Sequence, residues 1–206
     1  MVSTMRLTGN DPEAQELLEQ ILEESKPPLP ADARDLHYLL ATPYRYPPLP
    51  RGSRFRAWPD PGVLYAASER RTACAEMGYW RWRFVADSDG LSEISAAPQT
   101  VFQVGMNGPG IDLRVGAFAS RAALWTNPGD YSATQWLGRA AREEAVALIV
   151  YESVRDPERG ACVAALQPSV FRPRRPVAQE TWHLTVTGSG AVWQREGRRF
   201  VFRFGE

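Results

Sequence analysis

The end of this 206-residue chain constrains its fold most. Between residues 181 and 204, apolar and polar side chains alternate in the runs WHLTVT, AVWQRE and RFVFRF, with Gly188-Ser189-Gly190 between the first two. Alternation at a period of two puts one face of each run in a core and the other in water. The glycines supply a tight reversal, so the pattern predicts an antiparallel hairpin. Three further runs, GVLYAA at 62–67, VALIVY at 146–151 and CVAAL at 162–166, are apolar throughout and read as short buried strands. Residues 91–124 alternate short apolar runs with Gly and Pro, and 100–104 and 111–115 are the best strand candidates there.

Helical spacing occupies other parts of the chain. Residues 11–26 place Leu17, Leu18, Ile21 and Leu22 in one stripe among acidic residues, with Asp11 as cap and Pro12 in the first turn. The cluster Pro27-Pro28-Leu29-Pro30 ends that helix, and a short helix is expected over 33–40. Residues 44–61, YRYPPLPRGSRFRAWPDP, are too rich in Pro to be regular over most of their length. Ser68 is a candidate cap for a helix over 69–84, in which Ala73, Met77, Trp80 and Phe84 share a face predicted to point inward. A second amphipathic helix over 132–144 is predicted to turn Trp136, Leu137, Ala140 and Ala141 inward. No repeat and no linker interrupts the chain, so one α+β domain is expected.

The composition excludes several functions. Lys plus Arg and Asp plus Glu each total 24, a neutral balance that argues against gripping a polyanion. Lys26 is the only lysine, so the positive charge is nearly all guanidinium, suited to bidentate phosphate contacts. Cys74 and Cys162 sit in apolar surroundings and read as core residues, neither a disulfide framework nor a zinc site. The start of the chain lacks a basic segment followed by an apolar run, and no stretch nears the ~20 apolar residues of a membrane span, so the expected compartment is the cytoplasm.

Four features bear on chemistry. Glu76 falls on the apolar face of its helix, where an unpartnered carboxylate is costly; it reads as a boundary residue or as a cleft carboxylate with an arranged partner. Tyr65 lies near the end of a short strand that leads into that helix, a position that commonly faces a ligand, and also suits a core tyrosine. Ser153 follows a strongly apolar strand and begins the turn Val154-Arg155-Asp156-Pro157, where its hydroxyl would cap the turn or meet a ligand. Arg45, Arg51, Arg54 and Arg56, interleaved with Tyr44, Tyr46 and Phe55, form either a solvated loop or a surface for phosphates and rings.

Together, YRYPPLPRGSRFR, GVLYAAS, TACAE and YESVRDP resemble the RES-domain family, named for an Arg, a Glu and a Ser. Arg54 precedes Tyr65 by eleven residues and Tyr65 precedes Glu76 by eleven, matching the family's arginine, tyrosine and glutamate. Ser153 corresponds to its serine, and Arg45 with Tyr46 to an upstream arginine–aromatic pair. The resemblance spans roughly 40–175. Phe55-Arg56 stands where the family often has Trp-Asn, and the long interval from Glu76 to Ser153 points to an insertion at about 85–130.

The resemblance implies a split mixed sheet flanked by helices, similar to the ADP-ribosyltransferase and diphtheria-toxin fold. An N-terminal helical extension would occupy 1–40, an NAD⁺-binding core 41–175, and a C-terminal hairpin completing the same domain 176–206. It implies a bacterial toxin that depletes NAD⁺ by cleaving the nicotinamide–ribose bond, as glycohydrolase or phosphorylase, with NAD⁺ as substrate and no resident cofactor or metal. Arg54, Tyr65, Glu76 and Ser153 would be catalytic, and Arg45 and Tyr46 would bind substrate. The implied partner is a helix-turn-helix antitoxin, in a toxin–antitoxin complex or alongside a homo-oligomer, with no direct nucleic-acid or membrane contact. Two rivals use the same residues differently: protein ADP-ribosylation from the same cleft, and a non-catalytic binding module. A ribonuclease would want an acid–base pair that His37, His183 and Lys26 do not readily supply.

Overall fold

The computed structural model describes residue 9 and residues 11–205. The alternating tail does more than form a hairpin. Its strands β6 (Ala178–Thr187), β7 (Gly190–Arg195) and β8 (Arg198–Arg203) make an antiparallel meander, and β2 (Ile94–Gln103) pairs along β6 to give a four-stranded sheet in the order β2-β6-β7-β8. Trp182, Leu184 and Val186 of β6, Trp193 of β7 and Phe202 of β8 all point into one core, as the period of two requires.

The continuous apolar runs build the other sheet. β1 (Leu64–Ala67), β5 (Ala161–Ala165), β4 (Leu148–Glu152) and β3 (Gly110–Asp112) lie in the order β1-β5-β4-β3, with only β3 and β4 parallel. Both faces of this sheet are covered, which is why its strands lack alternation. One face meets Phe55, Trp125, Leu137 and Ala141; the other meets Leu36, Leu40, Tyr44, Val170 and Phe171. The expected α+β class with a sheet in two parts is what the chain forms.

Helix α3 (Arg70–Ala86) follows β1 and packs on the meander through Cys74, Ala75, Gly78 and Val85. A Cβ on Gly78 would lie 3.1 Å from the Ala191 methyl and 3.2 Å from Trp193 Nε1, so glycine permits the close approach. The stripe of Ala73, Met77, Trp80 and Phe84, expected inside, faces outward: Met77, Trp80 and Phe84 are 46, 50 and 56% exposed. Small residues won the inner face because the sheet lies too near for large ones. In α6 (Ser132–Glu143), Leu137 and Ala141 point inward as expected, whereas Trp136 is exposed.

Boundaries differ in smaller ways. α1 (Pro12–Glu24) begins at the expected cap, where Asp11 accepts from the Glu13 and Ala14 amides. The helix expected over 33–40 is a 3₁₀ turn at Ala31–Ala33 followed by α2 (Tyr38–Arg45). Glu69, not Ser68, caps α3, without a side-chain hydrogen bond. The stretch at 85–130 contributes β2, β3 and two single-turn helices, α4 (Gly116–Ala119) and α5 (Ala122–Trp125). Among the described residues no helix is long and apolar enough to cross a membrane.

Candidate active site

Strand alternation selects the side chains that meet beside α3. In β1, β5 and β4, the pairs Tyr65–Ala164, Ala67–Cys162 and Tyr151–Cys162 share one sheet face. Ser153, two residues beyond Tyr151 and just past the strand end, continues that row. Glu76, in the second turn of α3, reaches its end.

Ser153 donates its hydroxyl proton to Glu76 Oε1 at 2.6 Å. The same hydroxyl oxygen accepts the Arg155 and Asp156 amides at 3.2 and 3.0 Å. Ser153 is fully buried, so its hydroxyl is engaged in aiming a carboxylate and capping the turn behind it. Cys162 Sγ lies 4.0 Å from the same carboxylate oxygen. Glu76 is half-buried and has Ser153 as a hydrogen-bond partner.

The turn that carries Ser153 is locked to the start of α3. Asp156, buried, pairs with the Arg71 guanidinium and accepts from Thr72 Oγ1 at 2.8 Å. Gly160 lies against Thr72 so tightly that a Cβ there would collide with the hydroxyl. Glu76 and Ser153 therefore sit on two elements joined by one buried carboxylate.

Arg54 is held from two sides. Its Nη1 donates to the carbonyls of Trp125 and Asn127 at 2.9 and 3.2 Å, and its guanidinium lies 4.8 Å from the Tyr131 ring centroid and 5.9 Å from that of Tyr151. It is only 8% exposed, and among the described residues its side-chain hydrogen bonds run through Nη1. The Tyr65 hydroxyl accepts the Phe55 amide at 2.9 Å and shares a 2.8 Å hydrogen bond with Ser53 Oγ, so it grips both neighbours of Arg54. Tyr65 remains 38% exposed, with its hydroxyl engaged in both bonds.

Burial keeps the floor of the site neutral. It raises the Tyr65 and Tyr151 phenols above their ordinary range. The Cys162 thiol is pushed up to about 12, first by burial and then by the adjacent Glu76 charge. Near neutral pH these groups are uncharged, and the opposed charges of Glu76 and Arg54 border them.

Arg54, Tyr65, Glu76 and Ser153 thus gather around Tyr151 and Cys162. Arg45 and Tyr46 do not join them. Arg45 pairs with Glu23 at 2.6 Å and donates to the Pro27 carbonyl at 2.6 Å, and with Tyr46 it lines a groove beside Trp58, Arg56 and Arg142. Sequence reasoning missed Tyr151, Tyr131 and Arg155. Arg155 stacks 3.6 Å over the Tyr79 ring and donates to the Pro128 carbonyl and, at 3.3 Å, to the Tyr131 hydroxyl. For Tyr151 a signal existed: it stands two residues before Ser153, hence on the same strand face.

In this α+β fold a carboxylate held by a buried serine hydroxyl and an arginine held by two carbonyls thus border one row of aromatic and thiol side chains. A model of the RES domain matches residues 29–187, most of the chain and both ends of this site. The chain belongs to the RES-domain family, which is associated with NAD⁺-related toxin activity. The match extends past the expected 40–175 and takes in β6, while α1, β7 and β8 lie outside it. No curated protein matches the chain.

Proposed function

We propose that this protein is a toxin-like enzyme that cleaves NAD⁺ at the nicotinamide–ribose bond, in a cleft of the ADP-ribosyltransferase kind. The observation that carries the reading is the 2.6 Å Ser153–Glu76 hydrogen bond in a RES-domain chain whose Arg54 approaches the neighbouring Tyr151 ring.

In this reaction the C1′–N bond breaks and its electron pair leaves with nicotinamide, which departs neutral and needs no general acid. The ribose carbon takes on oxocarbenium character. Glu76 accepts from the ribose hydroxyls and sets negative charge beside that carbon, where a fixed charge favours the transition state over the ground state. Arg54 binds a pyrophosphate oxygen through its guanidinium. The exposed part of the Tyr65 ring packs on the nicotinamide riboside, while its hydroxyl keeps the Arg54 turn in place. Ser153 acts through Glu76, since its hydroxyl is already engaged three ways. Water or inorganic phosphate then bonds to C1′ and releases its proton to solvent, giving ADP-ribose or its 1″-phosphate. In the cytoplasm of a bacterial cell such an enzyme inhibits growth until a helix-turn-helix antitoxin covers the cleft.

The test is chromatography of NAD⁺ incubated with the pure chain, with and without phosphate. Nicotinamide released together with free or phosphorylated ADP-ribose is expected. No nicotinamide in either buffer overturns the enzyme reading, and label retained on a protein acceptor replaces it with protein ADP-ribosylation.

A further inference from the structure

The two walls of the candidate site meet at one side chain. Residues 125–131 form the first wall: the Trp125 and Asn127 carbonyls accept from Arg54, and the Tyr131 ring lies against its guanidinium. α3 and the turn after β4 form the second, with Glu76 and Ser153. Arg155 belongs to the second wall. Its amide donates to Ser153 Oγ at 3.2 Å, and its guanidinium carbon lies 3.6 Å from the centroid of the Tyr79 ring, three residues beyond Glu76 on α3. From there Nη2 crosses to the first wall and donates to the Pro128 carbonyl and, at 3.3 Å, to the Tyr131 hydroxyl.

Arg54 and Arg155 therefore grip the same segment twice. Successive carbonyls, those of Asn127 and Pro128, accept from one arginine each. The ring of Tyr131 meets Arg54, and its hydroxyl meets Arg155. The segment is braced from within: Asn127 Oδ1 accepts the Gly129 and Asp130 amides, and Asp130 Oδ1 accepts the Ser132 amide, each at 2.9 Å. Such side-chain turns let 127–132 shift as a unit, so a hold on Pro128 and Tyr131 is also a hold on the Asn127 carbonyl. Arg155 is half-buried and has no ion pair among the described residues. Its guanidinium is committed to an aromatic face and to this segment, since a planar guanidinium stacks on a ring while donating in its own plane.

We propose that Arg155 is a positioning residue that sets where Arg54 stands relative to Glu76. In this role it touches no ligand. It clasps the Arg54 wall to α3 through Pro128, Tyr131 and Tyr79, and so fixes the carbonyls and the ring that hold the Arg54 guanidinium. Its loss leaves the Ser153–Glu76 hydrogen bond and the Asp156–Arg71 pair in place, because neither uses its side chain. Substrate binding should therefore suffer more than the chemical step. That consequence rests on the reading of Arg54 as the group that binds the NAD⁺ pyrophosphate; the clasp itself rests on the contacts alone.

Arg155→Met keeps an unbranched stem to pack on Tyr79 and removes every side-chain donor. KM for NAD⁺ should rise about tenfold, the size of one misplaced contact to a charged group, and kcat should fall by less. The same substitution in an Arg54→Ala background should raise KM no further, because the residue through which Arg155 acts is gone. Arg155→Lys, which can reach one acceptor but cannot stack and donate in one plane, should fall between the wild type and Arg155→Met. A purely structural role would instead lower the melting point at unchanged KM, or raise KM equally in both backgrounds, and either result overturns the proposal. Amide hydrogen exchange on the ligand-free chain tests the clasp without any reaction. Arg155→Met should speed exchange over residues 125–132 and in the 53–56 turn, while residues 70–86 keep their protection. Native protection of both segments in the variant overturns the proposal. Absence of nicotinamide from the wild-type reaction would strike the NAD⁺ reading alone, and the exchange rates then decide the clasp.

Discussion

The Tyr65 hydroxyl holds the residues on both sides of Arg54, accepting the Phe55 amide at 2.9 Å and meeting Ser53 Oγ at 2.8 Å. The eleven-residue spacing from Arg54 to Tyr65 is thereby explained as a contact: the strand-borne tyrosine reaches back to fix the turn that aims the arginine. Ser53 and Arg56 close that turn by exchanging backbone hydrogen bonds of 2.7 and 3.2 Å.

Tyr65→Phe therefore separates positioning from packing. The ring stays, while the Phe55 amide and Ser53 lose a partner, which costs about 1–3 kcal/mol when a buried group is left unpaired. The expected result is a lower thermal midpoint and a KM for NAD⁺ that rises more than kcat falls. An unchanged KM would mean that the turn keeps its geometry without the hydroxyl.

Arg54→Lys should behave almost as badly as Arg54→Ala. A lysine ammonium cannot bridge the Trp125 and Asn127 carbonyls in the guanidinium plane and still offer a fork to a phosphate. KM is expected to rise at least as much as kcat falls in both variants, because a phosphate contact is made in the ground state as well as the transition state. A loss of kcat at constant KM would move Arg54 from binding to the chemical step.

Glu76→Gln and Ser153→Ala should part company. Glutamine keeps an oxygen to accept from Ser153, so the fold and melting point should hold. Loss of the charge should cut turnover about a hundred- to a thousand-fold, the ~3–4 kcal/mol of one preorganised electrostatic contact. Ser153→Ala leaves the carboxylate charged but unaimed, and strips the Arg155 and Asp156 amides of their acceptor. It should retain more turnover than Glu76→Gln and melt lower. Calorimetry beside nicotinamide release distinguishes the two; a Glu76→Gln variant with native turnover would remove Glu76 from the site.

What the sequence revealed, and what it hid, follows from the range of the interactions involved. The strand runs were legible because alternation is local, and Arg54, Tyr65 and Glu76 because they follow one another at short spacing; Ser153, 77 residues beyond Glu76, was marked by the turn it begins. The partner of β6 was not legible: β2 pairs with it across some eighty residues, with a break in register between Ile94 and Ala97, and no local pattern encodes that choice. The inner face of α3 was misread for a related reason. A stripe of Met, Trp and Phe at helical spacing marks an apolar face, but the sheet took the face of small residues, Cys74, Ala75 and Gly78, because it lies close to the helix. Tyr131 and Arg155 join the site from turns that only tertiary packing brings beside Arg54 and Tyr79.

Asp156 offers a test of how the two halves of the site are joined. Removing one partner of a buried ion pair costs about 3–5 kcal/mol. Arg71 is partly exposed, so the lower part of that range applies to Asp156→Ala. The Thr72 hydroxyl would lose its acceptor as well. The melting point should fall sharply, and residual turnover at low temperature should fall too, because the Ser153 turn loses its tether to α3. Full turnover per folded molecule would show that Ser153 holds Glu76 without that tether.

The two thiols make alkaline stability informative. Burial pushes both Cys74 and Cys162 up to about 12, against an ordinary value near 9. Well below pH 9 the thiols are protonated in folded and unfolded chains alike, and neither contributes a pH slope. Between pH 9 and about 12 the unfolded chain gives up protons that the folded chain keeps. Unfolding then releases protons, so stability falls as pH rises, by about 1.4 kcal/mol per pH unit for each proton of difference. Denaturant titrations at pH 8, 9 and 10 should show a flat region followed by a decline. A Cys74→Ala variant, though less stable throughout for the packing it loses, should decline less steeply. A decline of equal slope in the variant would remove Cys74 and leave the alkaline sensitivity to Cys162 and the buried tyrosines.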